Sequence, residues 1–370
     1  MPMFPFSPNG ENHVIDRSLR SAESLFDSDE GESQKIYRFD FLTISIATEH
    51  FSEANKIWQG QSDSMYKGRL PNGQGIAITQ CSYSSKLSHQ EYINNVLLMG
   101  RLENQNLVQL LGYCLEGTTI FLVYEFAVYT NMDHFVFDPL TRSFLNWNKC
   151  YEVILGVANA LDYLHNHAPI RVIHADVRPQ NLLFNESLNH KLSYLGSARR
   201  LAINDTNYEN VDTINVTTGY MAPEYMIEGC LSTKADVFGF GLFVLEIVTG
   251  QRNYLSFPET NENFVQYVWA NWLEGTCSHI VDPIVDADSS SISRFINIGL
   301  LCVQANAADR PTMDEVVRMF DTSSNTLRLP KNPVSSWMIE EDSNYENGVY
   351  DDYDVEAVEE FVSDLKLSPR

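Results

Sequence analysis

Asp176 is the residue of this 370-residue chain whose setting most invites chemistry. It stands in the run R-V-I-H-A-D-V-R-P-Q-N-L-L-F, which begins at Arg171. A carboxylate held within hydrogen-bond reach of a hydroxyl can take its proton in a transition state. Arg178 and Asn181 follow two and five residues later, and both side chains donate to carboxylates. Two roles therefore stand side by side for Asp176, a general base or a carboxylate satisfied locally by those donors. Other chemistry is poorly served. The six cysteines, at 81, 114, 150, 230, 277 and 302, show neither C-x-x-C pairs nor metal-ligand spacing. They read as reduced, mostly buried thiols of a cytosolic protein rather than as a disulfide framework.

The composition narrows the partners. Hydrophobic residues make up 44% and charged residues 20%, a globular balance with material for a sizeable core. The formal charge is −24, from 25 Lys and Arg against 49 Asp and Glu. Nucleic acid and anionic membrane surfaces require a basic face, so both are excluded as expected partners, and proteins are favoured. The N-terminal Met1-Pro2-Met3-Phe4 lacks the basic flank and apolar run of a signal peptide. No stretch approaches the ~20 apolar residues of a membrane span.

The elements that must position Asp176 follow from periodicity. The N-terminal stretch is rich in Ser and in Asp and Glu with little apolar pattern, and residues 1–38 are expected to be a disordered acidic leader. Phe41, Leu42, Ile46, Ala47 and Phe51 suggest a short packed helix. Met65-Tyr66 and Ile76-Ala77-Ile78 sit in strand-like stretches around the turn signal Pro71-Asn72-Gly73. His89 to Leu102 has a helical rhythm, and Leu107–Tyr113 and Ile120–Phe126 read as strands. Beyond Asn131 the pattern turns helical. Val153, Ile154, Val157, Leu161 and Leu164 form one stripe, and Val237 to Val248 is apolar nearly all round, the mark of a helix buried on every side. Helices are also expected around Phe264–Leu273 and Ile292–Val303. Residues 331–370 carry eleven carboxylates against Lys331, Lys366 and Arg370, a net charge of −8, and residues 326–370 are expected to be an acidic disordered tail.

Residues from about 39 to 320 resemble the kinase domain of plant receptor-like protein kinases, most closely the cysteine-rich receptor-like group. The cues run in order: Phe39-Asp40-Phe41, Tyr66-Lys67-Gly68-Arg69-Leu70-Pro71, Asn106 to Gly112, His174-Ala175-Asp176 with Asn181, Gly219-Tyr220-Met221-Ala222-Pro223-Glu224, Asp236-Val237-Phe238 and Arg310-Pro311-Thr312-Met313. The resemblance implies a bilobal α+β kinase fold, with an N-lobe over 39–124 and a C-lobe over 125–325. It makes Asp176 the base and Asn181 an amide ligand for magnesium. It also exposes losses. Of the Gly-rich loop only Gly60 remains, with Trp58 and Asp63 in place of its partners. The third-strand lysine is Thr79, and its helix glutamate is Asn95. The metal-binding aspartate is Tyr194, and the arginine before the base is Ala175.

What the resemblance carries for folding looks intact. It pairs Glu224 with Arg310 in the large lobe and ties Asp236 to the catalytic loop. Its adenine pocket would have walls in Met65, Ala77 and Leu183, with Tyr124, Glu125 and Phe126 at the hinge. Without the lysine and the metal carboxylate, Asp176 is expected to be a leftover held by Asn181 and Arg178, and Tyr194 a cleft-filling aromatic.

These losses set the expected function. It is a receptor-like cytoplasmic pseudokinase that signals by binding other proteins, active receptor-like kinases among them. ATP would bind weakly, and Asn181 alone would not hold magnesium. The expected location is the cytoplasm, with recruitment to the plasma membrane through partners. The alternative is an atypical but active serine/threonine kinase, and a third class is a nucleotide-sensing switch.

Overall fold

The computed structural model describes residues 36–59, 63–82, 99–117, 119–125, 130–185, 187–193, 199–200, 209–210, 218–253, 256–257, 262–321 and 327–333. Its N-terminal part is a six-stranded sheet in the order β1-β5-β6-β4-β3-β2. The strands are β1 (Tyr37–Arg38), β2 (Lys56–Gln59), β3 (Asp63–Arg69), β4 (Gly75–Ser82), β5 (Leu110–Glu116) and β6 (Thr119–Tyr124). Strand alternation sorts their side chains onto two buried faces. Ile76, Ile78, Phe121 and Val123 share one face with Ile44 and Ala47 of helix α1 (Phe41–Ala47). Met65, Ala77, Leu122 and Tyr124 lie on the other, which looks toward the C-terminal part and includes Leu183 from it.

Helix α1 begins where Asp40 accepts from the Thr43 N–H at 2.9 Å, a side-chain N-cap. It ends at Ala47, earlier than the apolar spacing out to Phe51 suggests. Glu49, His50 and Phe51 all take left-handed backbone, with φ of 53°, 60° and 55°. That turn swings Phe51 back onto Phe121, with ring centroids 5.2 Å apart, so Phe51 serves the same core from outside the helix. Strand β5 likewise starts at Leu110 rather than Leu107. Leu107 instead bridges to Leu192, with Leu192 N–H donating to Asn106 O at 2.7 Å and Val108 N–H to Leu192 O at 2.9 Å. The expected helix over His89–Leu102 lies outside the described residues except for its end, where Met99 is buried.

The C-terminal part is mainly helical. Helices α2 (Met132–Phe137), α3 (Pro139–Arg142) and α4 (Trp147–Asp162) precede the catalytic segment, and α5 (Pro223–Glu228), α6 (Thr233–Thr249), α7 (Phe264–Glu274), α8 (Ser289–Cys302) and α9 (Met313–Phe320) follow it. The α4 stripe of Val153, Ile154, Val157 and Leu161 is buried as its spacing requires. Helix α6 is buried from Ala235 through Thr249, so its unbroken apolar run is the spine of this lobe. A close crossing with α8 depends on glycine. A Cβ on Gly241 would stand 2.7 Å from Cys302 Cβ and 2.9 Å from the Gly299 carbonyl, inside contact distance of backbone that cannot retreat.

The folded chain extends beyond both boundaries read from the sequence. Tyr37 and Arg38 pair in parallel with Gly112 and Tyr113, so the sheet recruits the last residues assigned to the leader. At the other end Pro330 and Pro333 are buried, and Gln304 donates to Lys331 O at 3.0 Å. Short paired or docked segments carry too few residues to show a period. The remainder of the leader and tail lies outside the described residues. Cys114, Cys150, Cys230, Cys277 and Cys302 take part in no disulfide, with Cys230 half-buried and the other four buried.

Candidate functional site

The catalytic segment runs from β8 (Val172–Ile173) through a 3-10 turn (Pro179–Asn181) to β9 (Leu182–Phe184), which pairs with β10 (His190–Leu192) and β7 (Thr130–Asn131). Asp236, buried at the start of α6, fixes its backbone. The Asp236 carboxylate accepts from His174 N–H at 2.8 Å and from Ala175 N–H at 2.7 Å. His165 Nε2 lies 2.8 Å from the same carboxylate. Ala175 is thereby held at φ 66°, a left-handed backbone that a side chain with a Cβ adopts only when its surroundings impose it.

His174 is fully buried and neutral. Burial pushes its pKa below the usual histidine value, against the pull of Asp236 and Asp176. Its Nδ1 accepts from Asp176 N–H at 3.2 Å, which leaves Nε2 as the protonated nitrogen, donating to Ser193 O at 2.7 Å. Asp176, Arg178 and Asn181 come together as the sequence indicates. Asn181 Nδ2 donates to Asp176 O and to Asp176 Oδ2, both at 2.7 Å. Arg178 Nε stands 3.2 Å from Asp176 Oδ1, close enough for an ion pair but not aligned as a hydrogen bond. Asn181 thus orients one oxygen of the Asp176 carboxylate, while the other, Oδ1, is buried beside the Arg178 charge with no hydrogen-bond partner among the described residues.

Thr79 lies within the N-terminal sheet, on β4. It pairs with Met65 across β3 and β4 and with Leu122 across β4 and β6. Residues directly opposite share a face, so its hydroxyl stands in an apolar row. Thr79 is fully buried, and its Oγ1 has no hydrogen-bond partner among the described residues. Ser193 Oγ is in the same condition.

The pocket residues divide. Met65, Ala77, Tyr124 and Leu183 are brought together in one buried cluster. Glu125 stands beside them, with its N–H donating to Gln109 O at 3.0 Å and its carboxylate paired with Lys191 of β10 at 2.8 Å. Trp58 and Asp63 are placed by their backbones alone, Trp58 opposite Met65 and Asp63 opposite Cys81. Gly60, Asn95, Phe126 and Tyr194 lie outside the described residues.

Two arrangements were not read from the sequence. The Glu125–Lys191 pair joins residues far apart in the chain, and no spacing rule points to it. Below the catalytic segment, Tyr220 Oη donates to both oxygens of Glu246, at 2.9 and 2.8 Å, and Asn253 N–H donates to Oε1 at 2.8 Å. Arg252 clasps Asp133 through two bonds of 2.8 Å, and Gln180 also donates to Asp133. Burial raises the Glu246 carboxyl to about 8, opposed by the Asn253 and Tyr220 hydrogen bonds. The one signal for Glu246 was a lone acid within an otherwise apolar helical run.

Residues 51–320 match the family model described as protein tyrosine and serine/threonine kinase. The chain belongs to the protein kinase family. Among curated proteins it is similar to cysteine-rich receptor-like protein kinase 26 of Arabidopsis thaliana, 40% identical over 331 residues, covering 87% of this chain and 50% of that protein. Cysteine-rich receptor-like protein kinase 41 of the same organism is 41% identical over 305 residues, covering 81% of this chain and 46% of the relative. The chain therefore spans about half the length of the relatives it matches. Among the described residues no helix is long and apolar enough to cross a membrane.

In this family ATP binds between the lobes with magnesium, and a third-strand lysine, a metal-binding aspartate and a glycine-rich loop act together on the phosphates. By the family resemblance the lysine position is Thr79, a buried threonine whose hydroxyl has no partner among the described residues, and the aspartate position is Tyr194, which lies outside the described residues. Glu224 and Arg310, by contrast, form the pair the family resemblance implies, through bonds of 2.7 and 2.8 Å.

Proposed function

We propose that the chain is a receptor-like pseudokinase domain that signals by binding other proteins and not by transferring phosphate. The observation that carries this reading is Thr79, buried in an apolar row where the family places the ammonium that holds the phosphates. Phosphoryl transfer is almost entirely positioning and charge neutralisation, so a lysine, a metal carboxylate and a close loop backbone have to act at once. Thr79, Tyr194 and Asp63 each remove one of them. ATP is held weakly at most, and magnesium adds little to its binding. The partners are signalling proteins, active receptor-like kinases among them. The site of action is the cytoplasm, with the plasma membrane reached through those partners.

A second reading, an atypical active serine/threonine kinase, draws on the ordered arrangement of His174, Asp176, Asn181 and Asp236. One assay separates the two. The full chain and its Asp176→Ala variant are incubated with radiolabelled ATP, a generic basic substrate, and magnesium or manganese in parallel. The pseudokinase reading expects both proteins to label substrate equally, at background. Labelling by the parent well above the variant would establish an enzyme and end the reading.

A further inference from the structure

The slot between the sheet and the lower lobe has walls from both sides. Met65 and Ala77 come from β3 and β4, Leu183 comes from β9, and Tyr124 ends β6. All four belong to one buried cluster, and their exposures are 0%, 0%, 2% and 1% in that order. A purine ring lying between two such walls keeps them ~7 Å apart, because each face needs a van der Waals separation of ~3.5 Å. Walls that far apart would lie open to water, whereas each of these four is exposed by 2% or less. A slot cannot be in both conditions.

Met65 is the residue that differs at this point. The glycine-rich motif has valine two positions beyond its third glycine, and Asp63 occupies that glycine's place, so the valine position is residue 65. Methionine is unbranched, has three rotatable bonds and settles into irregular gaps that valine cannot reach. Across the sheet it faces Thr79, which faces Leu122, and the Thr79 hydroxyl between them is buried without a partner among the described residues. The row is therefore apolar and closed to solvent. The lobes are also fastened together beside it, by the Lys191–Glu125 ion pair at 2.8 Å and by the backbone bonds between Leu192 and both Asn106 and Val108.

We infer that Met65 closes the inter-lobe slot against a nucleotide base, so that the cleft used for ATP in this family is here an apolar seam joining the two lobes. The inference rests on the pseudokinase reading and extends it from the phosphate end of the cleft to the base end. Specificity at this site then lies in one side chain. Shortening it would open a neutral, flat-walled cavity suited to an uncharged planar heterocycle.

Adenosine is the probe, since it carries the base without the phosphates that Asp63 and the missing lysine would disfavour. Calorimetric titration and thermal melting are run on the full chain, on Met65→Ala and on Met65→Leu. The parent and Met65→Leu should show no saturable adenosine binding and no change in melting temperature. Met65→Ala should melt lower without ligand, gain saturable binding about tenfold or more tighter than the parent, and recover part of its melting temperature with adenosine. Should Met65→Ala fail to fold, Met65→Val removes less volume and is expected to show the same gain. Saturable adenosine binding by the parent overturns the inference, as does a folded Met65→Ala or Met65→Val that gains none. If the parent binds adenosine yet transfers no phosphate, this inference fails and the pseudokinase reading stands. If it also transfers phosphate, both fail.

Discussion

Thr79 offers the sharpest test of whether the cleft is dry. Thr79→Val keeps the branched shape and removes only the hydroxyl, whose oxygen is buried without a partner among the described residues. Leaving such a group unsatisfied costs ~1–3 kcal/mol, so the valine variant should be more stable by about 1–2 kcal/mol. For a domain of this size each kcal/mol moves the melting temperature by ~2–4 °C, which gives a rise of about 2–8 °C. Thr79→Lys asks the opposite of the same site. An ammonium placed between Met65 and Leu122 loses its hydration, an effective penalty of several kcal/mol, and the longer chain overpacks the row at a cost of ~1–3 kcal/mol. The lysine variant should melt more than about 10 °C below the parent. Scanning calorimetry on the full chain measures both. A lysine variant as stable as the parent, together with a valine variant less stable, would mean that the position is wet and ready for charge, and the argument from Thr79 would collapse.

Two further outcomes follow from buried charge. Glu246 keeps its proton up to about pH 8 in the folded chain against a usual 4.5, so folding binds a proton in that window. Its contribution is complete below pH 4.5 and disappears as pH rises through 8, at ~1.4 kcal/mol per pH unit and about 5 kcal/mol at most. Glu246→Gln should therefore flatten the fall of urea midpoint between pH 5.5 and 8.5, and parallel profiles for parent and variant would contradict the assignment. Arg310 is fully buried, with bonds to Glu224, Gln304 O and Lys234 O and its guanidinium 4.9 Å from the Phe238 ring. Arg310→Met strands the Glu224 carboxylate and should cost ~3–5 kcal/mol in urea unfolding, whereas a loss below ~1 kcal/mol would place the pair among weak surface contacts.

How much was legible depended on whether the determinant was local. The unbroken apolar run of α6 and the three-and-four spacing of α4 state their burial outright, because a helix period repeats over enough residues to be counted. The catalytic cluster was legible because Asp176, Arg178 and Asn181 lie within six residues of each other. Helix α1 and strand β5 were misjudged at their ends for a different reason. Phe51 and Leu107 are both buried or half-buried apolar residues, so they fit the pattern, but they are buried by a left-handed turn and by a bridge to Leu192. Hydrophobic spacing reports that a residue is inside and does not report which backbone delivers it. Lys191–Glu125 and Tyr220–Glu246 were invisible, since each joins residues far apart in the chain that meet only in the folded structure.

The contrast between what is kept and what is lost has a physical order. Asp236 accepts from the His174 and Ala175 amides because those amides would otherwise be buried without partners, an obligation of folding that applies whether or not phosphate is ever transferred. His174 likewise bonds Ser193 O and Asp176 N–H from a fully buried position. Asp176 and Asn181 are then held in place by a backbone that the core has already fixed. The positions that touch only phosphate or metal carry no such obligation. The family resemblance puts Thr79, Asp63 and Tyr194 at such positions, and Thr79 sits in an apolar row opposite Met65 and Leu122. An ordered catalytic loop is therefore what the core alone would produce. Its order gives no warrant for activity, and the state of the row that holds Met65 and Thr79 is the feature on which the question of activity turns.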